Sequence, residues 1–128
     1  PGNKDIIFNE LLIDWEREVT LVEGVFDAIV AGENSIPLLG STLREDSKLF
    51  MKIVSNDTPV LLGLDADAQK KAMRLVKALL IYGLEVRMMD TTGYKDIGEM
   101  PKEVFQERKE NAPFIDSDAC LLRIALTA

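Results

Sequence analysis

Pro59-Val60-Leu61-Leu62-Gly63-Leu64-Asp65-Ala66-Asp67 decides the fold class. A nearly unbroken apolar run that stops abruptly at acids is the pattern of a strand covered on both faces and closed by a turn. From Ala68 to Tyr82, the residues Ala72, Leu75, Val76, Leu79 and Leu80 recur at helical spacing, and Gly83 stands where a helix C-cap belongs. Leu84-Glu85-Val86-Arg87-Met88-Met89 then supplies another strand and leads into the polar loop Asp90-Thr91-Thr92-Gly93-Tyr94-Lys95-Asp96. Strand, helix and strand in this order predict a parallel pair joined by a right-handed crossover.

The same unit recurs toward the N-terminus. Glu18-Val19-Thr20-Leu21-Val22-Glu23-Gly24 reads as a short buried strand ending in a turn, and Val25 to Ala31 as a helix. Ile36-Pro37-Leu38-Leu39-Gly40 is a second short apolar run, after which Ser41 and Thr42 offer capping hydroxyls to a helix from about Leu43 to Val54. The chain is therefore expected to be α/β, with a mainly parallel sheet of about four strands flanked by helices.

The ends follow less regular patterns. Ile6-Ile7-Phe8 and Leu11-Leu12-Ile13 suit a hairpin, an added strand or a helix equally, and Trp15 is expected to anchor this segment on the core. Lys102 to Asn111, after Met100-Pro101, is a charged amphipathic helix candidate, and Ala119 to Leu126 is a short apolar segment. No repeat, low-complexity tract or linker marks a second domain. The chain divides into an N-terminal extension packed on the core (1–18), a core (19–100) and a C-terminal helical extension of the same domain (101–128).

Composition narrows the chemistry. The chain has 128 residues, 47% hydrophobic, with 22 acidic against 15 basic side chains and a formal charge of -7 at pH 7. One packed domain is expected, and any polyanion would need a local basic face or bound cations. Without histidine, and with Cys120 alone, the chain excludes histidine-based catalysis, disulfide frameworks and zinc sites built from several Cys or His ligands. Cys120, beside Leu121-Leu122, reads as an inert buried thiol. Pro1-Gly2-Asn3-Lys4-Asp5 is polar and unlike a signal peptide, and no apolar stretch suggests a membrane span, so a cytoplasmic, reducing location without membrane contact is expected. A first residue other than Met fits a processed product or a piece of a longer protein.

Acidic residues fall where strands end. Glu23 closes the first, Asp65 and Asp67 the third, and Asp90 the fourth. In an open parallel sheet these ends form the ligand crevice. If extended geometry persists that far, Asp65 and Asp67 lie on one side, and with Glu23 they can hold a hard divalent cation such as Mg²⁺. A lone Asp at such a place is more often a turn or cap residue. Three acids in one crevice repel one another unless a cation offsets them. There is no Gly-x-x-x-x-Gly-Lys-Ser/Thr and no Gly-x-Gly-x-x-Gly, so neither a Walker-type NTPase nor a dinucleotide-binding domain is supported.

Glu23-Gly24-Val25-Phe26-Asp27 resembles the Glu-Gly-x-x-Asp signature of the Toprim domain, shared by topoisomerases, bacterial-type primases and some nucleases. Asp65-Ala66-Asp67 resembles its Asp-x-Asp signature. Leu39-Gly40-Ser41-Thr42 and Lys95-Asp96 are similar to further motifs of bacterial- and phage-type DNA primases, and the likeness spans Val19 to Met100. It implies a compact, Rossmann-like Toprim fold in which Glu23, Asp65 and Asp67 are the catalytic, metal-associated acids for Mg²⁺ or Mn²⁺, with Asp27 and Asp96 supporting them. It also implies RNA-primer synthesis from nucleoside triphosphates on a single-stranded DNA template, with a replicative helicase or flanking domains as partners. Departures are plain: the zinc module that primases carry before the catalytic core cannot be built here, this sequence contains no helicase portion, and the basic N-terminal subdomain is missing or reduced to residues 1–18.

The same acids suit hydrolysis of a phosphodiester by water equally well. A Toprim nuclease cutting DNA or RNA therefore stays open, as does a non-catalytic module that binds a metal–nucleotide or a replication partner. Arg44, Lys48 and Lys52 recur on the second helix, and Lys70, Arg74 and Lys77 on the third, as positive stripes. Lys70, Arg74, Lys77, Lys95, Ser41 and Thr42 are the candidate phosphate contacts, although such stripes are equally ordinary solvated faces. Tyr94 and Phe105 could stack on bases but are assigned to the core, as are Met88, Met89 and Met100.

Overall fold

The computed structural model describes residue 7 and residues 10–39 and 47–116. Its centre is a four-stranded, all-parallel sheet of order β2-β1-β3-β4, formed by β1 (Val19–Val22), β2 (Ser35–Pro37), β3 (Val60–Gly63) and β4 (Val86–Met88). The connections are helical: α1 (Val25–Ala31), α2 (Lys48–Ser55) and α3 (Ala66–Ile81), with α4 (Lys102–Glu110) after β4. The expected α/β architecture is the observed one. Short 3-10 turns occupy Glu10–Leu12 and Ile97–Glu99. No helix among the described residues is long and apolar enough to cross a membrane.

Alternation along the strands builds two cores. Val19, Leu21, Ile36, Val60, Leu62, Val86 and Met88 face one side, with Leu49, Phe50 and Ile53 of α2 and Leu75, Val76 and Leu79 of α3. Val22 and Leu61 face the other, beneath Ala28 and Ala31 of α1, Ile97, Met100 and Phe105 of α4. Met88, Met89, Met100 and Phe105 are all core residues. Trp15 and Ile13 pack against the first core, and the Trp15 carbonyl accepts from the buried Thr58 hydroxyl at 2.6 Å.

Helix ends follow local chemistry. At the end of α3, Gly83 (φ 82°) donates to the Leu80 carbonyl and Leu84 to that of Leu79, the paired bonds of a Schellman cap. Helix α2 ends in the same way with Asp57 (φ 53°) in the left-handed place, donating to Val54 while Thr58 donates to Ile53. Helix α2 begins at Lys48, later than the start expected near Leu43, because the extended Ser47 is its N-cap in place of Ser41 or Thr42, its hydroxyl accepting from the Phe50 N–H at 3.1 Å. The Gly40-Ser41-Thr42 turn, Arg44 and the Ala119–Leu126 segment with Cys120 lie outside the described residues.

The sheet's two edges differ. Beyond β4 the chain returns antiparallel: Met88 donates to Pro113 (3.1 Å), Ile115 to Val86 (2.8 Å), and Arg87 bridges Phe114. On the far side β2 is short and ends in Pro37.

Candidate active site

Leaving β1, the chain passes to α1 on one face of the sheet; leaving the neighbouring β3, it passes to α3 on the opposite face. This divergence opens a crevice at the carboxyl ends of two adjacent parallel strands. Glu23 follows β1 and Asp65 follows β3, so the fold places these two acids together. The Glu23 carboxyl is a hydrogen-bonding neighbour of the Asp65 side chain. Its pKa is raised, first by burial and then by Asp65, with Asp27 adding like charge; the Asp65 backbone N–H works in the opposite direction. Two acids held this way settle by keeping a proton or taking up a cation.

The other acids have structural bonds. Asp27 is only 7% exposed, accepting from the Gly24 N–H at 2.9 Å and from the Gly98 N–H at 2.6 Å. It thus ties α1 to the loop after β4. A side chain at Gly98 would crowd both the Asp27 and Asp96 carboxylates, at 3.1 and 3.3 Å from the added Cβ. Asp96 caps the 3-10 turn through the Glu99 N–H at 3.1 Å. Asp65 is also the N-cap of α3, accepting from Ala68 at 2.8 Å. Extended geometry therefore ends at Asp65, and Asp67 lies exposed in the first helical turn rather than two residues further along a strand. Asp90, just after β4, accepts from the Thr92 N–H at 2.9 Å, and the Thr92 hydroxyl first and this N–H second lower its pKa.

Mg²⁺ characteristically takes one or two protein carboxylates and completes its shell with water and phosphate oxygens. The Glu23–Asp65 pair fits that habit. Among the described residues no group of three His, Cys, Asp or Glu side chains forms a ready metal cage.

Basic candidates separate by environment. Lys70, Arg74 and Lys77 are exposed on α3, and Lys95 is exposed in the loop after β4. On α2, Lys48 and Lys52 turn to Glu10 of the N-terminal segment at 3.0 and 3.9 Å, and Lys52 also lies over Trp15. Tyr94 is half-buried against the second core, with Arg108 over its ring. Ser41 and Thr42 fall outside the described residues.

Sequence reasoning missed three polar clamps, two at this rim and one at the opposite, amino end of the sheet. Gln69 donates to the Leu64 carbonyl (2.9 Å) and to that of Met89 (3.4 Å), joining the ends of β3 and β4. Arg108 donates to the Asp90 and Thr92 carbonyls at 2.7 and 2.9 Å, pinning the loop that carries Lys95 and Asp96. Asn34, at φ 59°, donates to the Asp14 and Glu18 carbonyls and accepts from the Asp14 N–H. An amide or guanidinium in a polar stretch carries no local sign of which distant carbonyl it will meet.

No family model matches the chain, and no curated protein matches it by sequence. Two solved structures share its fold. The Aquifex aeolicus primase, comprising zinc-binding and RNA polymerase domains, superposes with a TM-score of 0.62 at 22% identity, covering 77% of this chain. A DnaG primase catalytic domain bound to single-stranded DNA superposes at 0.59 and 22% identity, covering 82%. This chain spans only 26% and 36% of those two chains. The parallel sheet of order β2-β1-β3-β4, with helices on both faces and two acids meeting at its carboxyl rim, thus has the fold found in primase catalytic domains.

Proposed function

We propose that this chain is a Toprim-type catalytic core that joins ribonucleotides into RNA primers on a single-stranded DNA template, as part of a bacterial- or phage-type primase in the cytoplasm. The observation that carries the reading is the pair of facing carboxyls, Glu23 and Asp65, in the crevice between β1 and β3. The likeness to a primase catalytic domain bound to single-stranded DNA supports the template class. Bound Mg²⁺ or Mn²⁺ would help ionise a 3′-hydroxyl and neutralise the departing pyrophosphate. Glu23 and Asp65 are the residues to hold it, and Asp67 adds charge from the first turn of α3. Asp27 and Asp96 fix the backbone around them, so the pair is positioned before substrate arrives.

The test supplies the chain, alone and fused to the flanking domains of a primase, with single-stranded template, ribonucleoside triphosphates and Mn²⁺. Oligoribonucleotide synthesis that disappears in Asp65→Asn is the expected result. Template degradation would assign a nuclease instead, and neither activity would leave a binding module; either outcome overturns the proposal.

A further inference from the structure

Helix α3 carries an unusual charge pattern for so acidic a chain. From Ala68 to Leu84 there is no Asp or Glu, while Lys70, Lys71, Arg74 and Lys77 are all exposed. Asp67 precedes Lys70 and Lys71 by about one turn, yet none of the four cations forms an ion pair among the described residues. Lys70 and Arg74 are four residues apart, and Arg74 and Lys77 three, spacings at which like charges disfavour the helix. The other helices are different. The α2 lysines Lys48 and Lys52 face Glu10, and α4 interleaves Lys102, Arg108 and Lys109 with Glu103, Glu107 and Glu110.

The stripe also has a direction. Helix α3 starts at Asp65, in the crevice, so Lys70 stands about a turn and a half from the carboxylate pair and Lys77 about 10 Å further along the axis. Cations that repel one another, form no ion pair among the described residues and lead away from a phosphoryl-transfer site suit a sugar–phosphate backbone. We infer that the exposed face of α3 is a phosphate track for the single-stranded DNA template, with Lys70, Arg74 and Lys77 as its contacts. This rests on the nucleotidyl-transfer reading of the crevice. The face has no aromatic platform between Lys70 and Lys77, so the contacts are expected to be indifferent to base sequence.

The experiment measures anisotropy of a labelled oligo-dT across a salt series, without divalent cations, for wild type, Arg74→Ala with Lys77→Ala, and Lys102→Ala with Lys109→Ala. Alanine is the strongest helix former, so the α3 variant should keep its fold, checked by circular dichroism. Loss of two phosphate contacts should reduce the slope of log affinity against log salt by about 1.4, or roughly 25-fold in affinity near 0.1 M salt. The α4 variant, with the same net charge, should keep the wild-type slope. An unchanged slope in the α3 variant, or an equal loss in both variants, overturns the track. A larger loss for oligo-rU than for oligo-dT would also overturn it, by assigning the face to the RNA strand. Failure of the functional reading looks different: the slope changes as expected, yet primer synthesis is absent in wild type.

Discussion

Glu18 and Glu23 stand at opposite ends of β1, and the fold treats them in opposite ways. At the amino end, the Glu18 carboxylate receives two bonds from the Arg87 guanidinium, at 2.8 and 2.7 Å. Arg87 also donates to the Lys109 and Ala112 carbonyls and lies over the Phe114 ring. Planar, bidentate pairing of this kind suits Arg far better than Lys. At the carboxyl end, Glu23 meets another carboxyl. Where the sheet only needs holding together its charges are matched; where a ligand is expected, the mismatch is left for the ligand to resolve.

Four measurements break or sharpen this contrast. Arg87→Ala should be the most damaging, costing about 3 kcal/mol in chemical denaturation, because it strands a partly buried carboxylate and two carbonyls together. If it costs less than about 1 kcal/mol, the amino end is no better settled than the crevice. Asp27→Ala removes the acceptor of two backbone N–H groups and should cost about 2 kcal/mol. Mn²⁺ at ten times its dissociation constant should stabilise the wild type by about 1.4 kcal/mol, seen as a rise in Tm that Glu23→Gln, Asp65→Asn or Asp67→Asn weakens. An unmoved Tm across millimolar Mn²⁺ would reduce the paired acids to turn residues.

The smallest effect has the most distinctive sign. Glu23 holds its proton more tightly when folded than when unfolded. Its contribution to stability is therefore lost as pH rises from the ordinary glutamate range through its own elevated value. Glu23→Gln should raise the Tm by a few degrees at neutral pH without divalent cations, and the gain should fade on acidification through that window. A variant less stable than wild type at neutral pH would show that Glu23 is settled after all.

Much of this was legible because the informative signals are local. Apolar runs such as Val60-Leu61-Leu62 stop at Gly or Asp, and parallel topology then sends every such stop to the same rim, which brings Glu23 near Asp65 without any pairwise signal. Asp67 illustrates the limit. Its expected place required the strand to continue, but the Asp65 carboxylate caps Ala68 and starts the helix first. Glu18 and Arg87 are 69 residues apart, and Asp27 and Gly98 are 71, so nothing in either neighbourhood announces the bond. The two stripes of cations looked alike in sequence; among the described residues, Glu10 and Trp15 separate them by meeting Lys48 and Lys52.

The return of the chain along β4 has a consequence for assembly. Exposed strand edges recruit foreign strands, and this sheet has closed one edge with Pro113 to Ile115. The other is blunted: Leu38 donates inward to Val22, which puts the missing N–H of Pro37 on the outward side. A peptide seeking to extend the sheet finds an occupied berth at one end and a broken ladder at the other. Cutting the chain before Pro113 would leave the outer N–H and C=O groups of β4 without these bonds, the condition under which a sheet edge recruits another strand.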